Sequence, residues 1–301
     1  MLNDQVIWTT GSEGTIYKTE NGGQTWEQIT IPETDRLDFR DVEVLSIDEV
    51  VVMSAGLGDK SGVFKTSDRG KSWTQVFENP FEQGFFDGIA FWNEEEGILG
   101  SDPVNSEMYF LKTVDGGDTW RRIDPGLLPA LHEGESGGFA ASGNHLAVNG
   151  NSVWISSAFG GSRVTWSNDK GATWNVVSTP MIQGGQSQGI FSLAFVDETT
   201  GVAVGGDYSK EGEGVDNVIL TEDGGQSWQL TEDFPIFQSA VRYLTRNKLI
   251  SVGPKAGYYS NDGGNTWQRI EGNGYHTLSV SKDGSIWAAG QGGRVARLTM
   301  E

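Results

Sequence analysis

The chain has 301 residues, of which 43 are Gly and 8 are Pro, and it contains no Cys. Without thiols there are no disulfides, no thiol catalysis and no thiolate metal centres. Lys and Arg number 21 against 41 Asp and Glu, and a net charge of −20 repels nucleic acid and anionic membrane surfaces. No apolar run reaches the ~18 residues of a membrane span.

In chain order, short segments of alternating or β-branched character read as strands. The first module has them at 6–10, 15–19 and 25–30, and the second at 39–46, 49–55, 62–66 and 72–77. In the third they lie at 87–92, 97–101, 108–113 and 119–123, with the Glu94-Glu95-Glu96 run as a solvated turn. The fourth has a first strand at 138–142 continuing to 145–148, then 152–157, 163–166 and 173–177. The fifth has 192–196, 201–205, 217–221 and 227–230. The sixth has 240–245, 248–252, 257–260 and 266–270. The last has 275–281, 285–289 and 293–299 and no fourth strand. The first module begins at its second strand, so a native strand is expected upstream of Leu2. No helical pattern of ten residues or more interrupts the series, and residues 1–5 carry no signal-peptide pattern.

Between the third and fourth strands of six modules stands one phrase: Ser/Thr, any residue, Asp, any residue, Gly, any residue, Ser/Thr, Trp. It ends at Trp26, Trp73, Trp120, Trp174, Trp228 and Trp267. The intervals are 47, 47, 54, 54 and 39 residues, which is the period of a propeller or array. Asp68, Asp115, Asp169, Asp223 and Asp262 hold the acidic position, and Asn21 takes it in the first copy. A short carboxylate can accept backbone N–H groups across a tight turn. Gly at the fifth position can take a positive φ, and the Trp opens the next strand with a large apolar face. Local bonding accounts for these residues as turn staples. One carboxylate per turn is a poor calcium site, so neither a metal nor a cofactor is expected.

The phrase resembles the Asp box of sialidases and other BNR-repeat propellers. Six further phrases resemble bacterial relatives of the photosystem II assembly and stability factor: residues 37–43, 86–92, 100–104, 138–143, 190–195 and 205–208. With the repeat, the resemblance implies an all-β fold: a seven-bladed β-propeller of four-stranded antiparallel blades, with incomplete first and last blades, as one domain over 1–301. It also implies an exported protein, periplasmic or extracellular. Relatives of the plant and cyanobacterial factor bind a partner protein, and some bacterial relatives carry an oxidoreductase label. No G-x-G-x-x-G follows a strand into a helix here, so that label finds no support.

In such a fold, loops between second and third strands share a face with the connections from one blade to the next. Residues expected there are Arg40, Asp41, Asp87, Asp102, Glu135, Asp207, Tyr208, Arg242 and His276, with Phe39, Phe86, Phe139 and Phe191 as aromatic surface. The bland reading is that each caps a backbone group or pairs locally, Arg40 with Asp87 for instance. The functional reading is a charged channel mouth whose crowded carboxylates raise one another's pKa. The loops at 160–162 and 209–216 lengthen its rim.

Two functions fit. One is a non-catalytic binding or assembly module, a monomer recognising a protein segment or a glycan at the mouth. The other is a carbohydrate-active enzyme, a glycoside hydrolase or lyase of sialidase type, with Arg40, Arg242, Tyr208 and Asp87 in the arginine, nucleophile and acid roles. The sialidase Arg-Ile-Pro phrase is missing, and the matching neighbourhood reads Phe39-Arg40-Asp41. His132, His145 and His276 are the only histidines, too widely spaced for a zinc pair, and there is no G-x-S-x-G elbow.

Overall fold

The computed structural model describes residues 1–299 apart from 141, 159, 232 and 233. The fold is all-β, a seven-bladed β-propeller with five four-stranded antiparallel blades and three-stranded first and last blades. Its contacts divide into two compact units, Met1–Ile123 with Ser281–Ser285, and Asp124–Val280 with Ile286–Glu301.

Unit 1 holds the first three blades. Blade one is β1 (Ile7–Thr10), β2 (Ile16–Thr19) and β3 (Glu27–Ile29). Blade two is β4 (Asp38–Val44), β5 (Val50–Ala55), β6 (Gly62–Thr66) and β7 (Thr74–Glu78). Blade three is β8 (Phe86–Phe91), β9 (Gly97–Val104), β10 (Glu107–Thr113) and β11 (Arg121–Arg122). β5 reads Val-Val-Val-Met-Ser-Ala and is buried along its whole length, as β-branched strands covered on both faces are. Its neighbours in the core are Trp8, Ile16, Phe39 and Phe64, all nearly excluded from solvent.

Unit 2 holds the other four. Blade four is β12 (Leu146–Asn149), β13 (Ser152–Ser157), β14 (Arg163–Ser167) and β15 (Asn175–Ser178). Blade five is β16 (Gln188–Phe195), β17 (Gly201–Asp207), β18 (Val218–Thr221) and β19 (Gln229–Leu230). Blade six is β20 (Ala240–Tyr243), β21 (Leu249–Val252), β22 (Gly257–Ser260) and β23 (Gln268–Ile270). The last is β24 (Thr277–Val280), β25 (Ile286–Gly290) and β26 (Arg294–Leu298). The expected first strand of blade four is corrected here. β12 starts only at Leu146, with His145 O accepting the Ser156 N–H of β13 just before it, and none of the described residues of 138–145 is strand. Ala141, within that expected strand, lies outside the described residues.

The repeated phrase forms one turn. In five copies the first hydroxyl donates to the Asp Oδ1 at 2.7–2.9 Å. It accepts the N–H of the fifth-position Gly at 2.9–3.0 Å. The second carboxylate oxygen accepts the seventh-position hydroxyl at 2.6 Å. The Gly residues sit at positive φ, +84° at Gly70 and Gly225, and the Trp73, Trp174 and Trp267 indoles donate back to the same glycines' carbonyls.

The turns of blades two, three, five and six also dock on the preceding blade of their own unit. A Cβ on Gly70 would come within 2.8 Å of the Trp8 ring, and one on Gly225 within 2.9 Å of Trp154. Trp154 donates its indole N–H to Gly224 O at 2.7 Å and stacks on Phe195 at 3.4 Å between centroids. Lys65, nearly buried, reaches Asp118 beside the blade-three turn at 2.9 Å. The fifth-position glycine is thus required twice, by its φ and by the ring it admits.

Candidate functional site

The innermost strands β4, β8 and β16 share an irregularity. Each carries one extra residue near its start: Arg40, Asp87 and Phe191 respectively. A bulge of this kind re-aims side chains, and two of the three residues are charged candidates.

In unit 1, Arg40, Asp41, Asp87 and Asp102 lie at the strand ends next to the loop between second and third strands. Arg40 pairs with Asp38 at 2.5 Å, in place of the expected Asp87. Asp87 is 1% exposed, too enclosed to present a charge to a ligand. Asp41 is a blade-to-blade staple, accepting the N–H of Val42 at 2.9 Å and that of Ile89 in β8 at 2.8 Å. Ser192 does the same in unit 2, accepting from Val241 in β20 at 3.0 Å. Asp102 is half-buried, and its N–H donates to Phe85 O.

Unit 2 holds the remaining candidates. Glu135 has a fully buried side chain that accepts from Arg163 and from the Ser157 hydroxyl at 2.5 Å, while the His132 N–H adds a bond at 2.7 Å. That carboxylate anchors the connection from blade three to blade four. Asp207 caps the 3-10 turn Tyr208–Lys210, accepting the Ser209 N–H at 3.0 Å and hydroxyl at 2.6 Å, and Gln188 at 3.2 Å. The Ser209 hydroxyl bond, against opposing burial and with Ser187 and Gln188 adding to it, pulls its pKa down to about 2. Arg242 sits mid-strand rather than at a rim and donates to Asn144 Oδ1 and Val241 O. His276 is half-buried, and its backbone bonds to Ala289 and Ser239.

Asn144 belongs to a crossing segment that only the folded chain reveals. Ser142 donates to Ser239 O at 3.0 Å and accepts from Thr277 at 3.0 Å. Asn144 donates to Thr277 at 3.1 Å, and its carbonyl accepts from Leu193 at 2.8 Å. One short stretch therefore ties the innermost strands of blades five, six and seven. His145, which follows, is wholly buried with neither ring nitrogen hydrogen-bonded among the described residues. Burial holds its imidazole neutral, pushed down to about 3.

The aromatic residues are core rather than surface: Phe39, Phe86, Phe139 and Phe191 are all at most 8% exposed. Phe139 stacks on Phe191 at 3.9 Å, Phe237 meets Phe191 edge-on at 4.7 Å, and Tyr208 lies edge-on to both stacked rings at 5.9 Å. Tyr208 itself is 49% exposed. Gly189 faces Gly206 across the β16–β17 ladder, and a Cβ on either would stand 3.4 Å from Phe139 or Phe237. Those two glycines were the readable signal of this cluster, and Phe237 was missed. Exposed Val215 lies on the same β17–β18 connection as Tyr208. Among the described residues no group of three or more His, Asp or Glu side chains converges as a metal site, and no helix is long and apolar enough to cross a membrane.

No family model matches the chain, and no curated protein matches it in sequence. Solved structures do resemble it. A structure of YCF48 bound to D1 peptide superposes with a TM-score of 0.68 at 18% identity, covering 99% of this chain and 89% of that one. YCF48 from Cyanidioschyzon merolae gives 0.66 at 17%, covering 94% and 88%. The GH74 enzyme of Niastella koreensis gives 0.50 at 12%, covering 94% and 61%. At these identities the likeness is one of fold.

Proposed function

We propose that this propeller binds a protein segment and catalyses nothing, with Tyr208 as the anchor of a binding face in unit 2. The observation that carries this reading is the contrast on that face. Its acidic candidates Glu135 and Asp207 are engaged by neighbouring side chains, while Tyr208 stands half out of a buried aromatic stack. An amphipathic ring on a rigid base is a strong contact residue, because little side-chain freedom is lost when a partner covers it. Val215, on the same connection between β17 and β18, adds apolar surface.

The enzymatic alternative is less well supported. A glycosidase acid must hold its proton near neutral pH, and Asp207 is pulled the other way, to about 2. Both Glu135 oxygens are already accepting, from Ser157 and from Arg163. The fold shared with YCF48, solved with a D1 peptide, fits a segment-binding role.

The test is selection of ligands from a displayed peptide library, followed by titration of the best one. Tyr208→Ala should weaken that peptide about tenfold or more, on the scale of an interface anchor at about 2 kcal/mol. Unchanged affinity in the variant, or product released from a glycan panel by the unmodified protein, would overturn the reading.

A further inference from the structure

The sequence contains three Asn-Gly pairs: Asn21-Gly22, Asn149-Gly150 and Asn273-Gly274. Such a pair is chemically labile, because a following glycine leaves its main-chain nitrogen unhindered for attack on the asparagine amide. The attack needs both the amide carbon and that nitrogen to move. In a folded protein its rate is therefore set by how readily the local structure opens.

Two of the pairs are held. Asn21 Oδ1 accepts the Thr25 N–H and the Thr19 hydroxyl, each at 2.9 Å, and its Nδ2 donates to the Thr25 hydroxyl at 2.8 Å. The nitrogen that would attack is engaged too, since Gly22 N–H donates to Gln5 O at 3.0 Å. Asn149 is a ladder residue of β12 paired with Ser152, and its Nδ2 donates to Phe195 O at 3.2 Å. Cyclisation at either place requires those bonds to break first.

The third pair is different. Asn273 is exposed on the connection from β23 to β24. Among the described residues neither its side chain nor the Gly274 N–H makes a hydrogen bond, and only the Gly274 carbonyl is engaged, by Arg294 Nη2 at 2.6 Å. Gly272, just before the pair, sits at a φ of +124° with nothing within 4 Å of where a Cβ would be. Gly274 cannot give way to a bulkier, slower residue, because a Cβ there would stand 2.1 Å from Pro254 O. Packing thus keeps the labile pair in place.

We propose that Asn273 is a site of spontaneous conversion to isoaspartate, and that the conversion slackens the joint between blades six and seven. The Gly274 nitrogen attacks Asn273 Cγ and gives up its proton, the side-chain nitrogen leaves as ammonia, and a cyclic imide closes. One water then opens the ring. Cleavage between Cγ and the nitrogen yields aspartate. Cleavage between the main-chain carbonyl carbon and the nitrogen yields isoaspartate, which lengthens the main chain by one methylene. That methylene enters just ahead of the blade-to-blade bonds, where Arg294 holds Gly274 O and Tyr275 N–H donates to Gly253 O at 2.9 Å. The site is independent of the Tyr208 reading.

The test ages the unmodified protein at alkaline pH and maps its peptides by mass, each conversion adding about 1 Da. Isoaspartate is read separately, by methyl transfer from labelled S-adenosylmethionine with a protein-isoaspartate methyltransferase. Conversion should run at least tenfold faster at Asn273 than at Asn21 or Asn149, whereas three free peptides spanning the pairs should convert at similar rates. Asn273→Gln, an exposed change that makes the cyclic imide harder to close, should remove most of the methyl-acceptor signal and leave Tm unchanged. Aged protein should melt below Asn273→Asp, which carries the new charge without the added methylene. Equal rates at the three positions in the folded protein, the same ranking in the free peptides, an undiminished signal in Asn273→Gln, or an aged form melting no lower than Asn273→Asp would overturn the proposal.

Discussion

Asn21 separates geometry from charge in the repeated turn. Its Oδ1 accepts from Thr25 N–H at 2.9 Å, as the carboxylates do from theirs, and its amide donates to the Thr25 hydroxyl at 2.8 Å where a carboxylate would accept. The turn therefore forms without a charge, but the five Asp copies bring a pH dependence. At Asp68 the Ser72 hydroxyl bond leads in lowering the carboxyl from 3.8 to about 2. At Asp169 burial opposes, yet the Thr173 and Ser167 bonds win and bring it to about 2. Folded values below the unfolded one mean that the contribution is complete above about pH 4 and fades as pH falls from 3.8 toward 2. Thermal melts across that window should show a falling Tm, and Asp169→Asn should flatten the fall while melting near the parent at pH 7. A steeper fall in the variant would contradict this. Glu135 is a different case, because its partner Arg163 is only 13% exposed at the side chain. Removing one member of a buried pair strands the other. Glu135→Ala is expected to cost about 3 kcal/mol in urea unfolding, and Glu135→Ala/Arg163→Met less than Glu135→Ala alone.

At the scale of the element, the turns and strands were readable because their determinants are local. Thr221, Asp223, Gly225 and Ser227 make their bonds within four residues of one another, so spacing alone identifies them. The partners of the site residues were not readable. Asp41 meets Ile89 48 residues away, Glu135 meets Arg163 28 away, and Arg242 meets Asn144 98 away. No period or propensity encodes such meetings, which depend on which blade lies beside which. Residues 138–142 read as strand for the same reason: their pattern is apolar enough, but the bonds of Ser142 go to Phe191, Ser239 and Thr277. The blade-to-blade joint gives a prediction at this scale. Gly225→Ala would place a methyl 2.9 Å from Trp154 at a φ of +84°. We expect a loss of about 2–4 kcal/mol from strain and overpacking together, read by chemical denaturation. Gly284, also at positive φ but with nothing within 4 Å, isolates the backbone part: Gly284→Ala should cost about 1 kcal/mol.

Over the whole molecule, 41 acidic against 21 basic residues leave a self-repelling surface. Raising NaCl from about 10 mM to about 150 mM shortens the screening length from about 30 Å to about 8 Å, and Tm should rise with it. A Tm that falls instead would mean that ion pairs such as Arg36–Asp59 and Arg69–Asp48 outweigh the net repulsion. The docking of the blade-five turn on blade four has a consequence for biosynthesis. Trp154 finds its acceptor, Gly224, only 70 residues later in the chain. A ribosome adding about 5–20 residues per second needs roughly 4–14 s to deliver it. During that interval the nascent protein carries a naked indole on its most recently completed sheet. Blade five thus seals blade four, and a translational pause between Ser178 and Thr221 would leave that indole uncovered for longer.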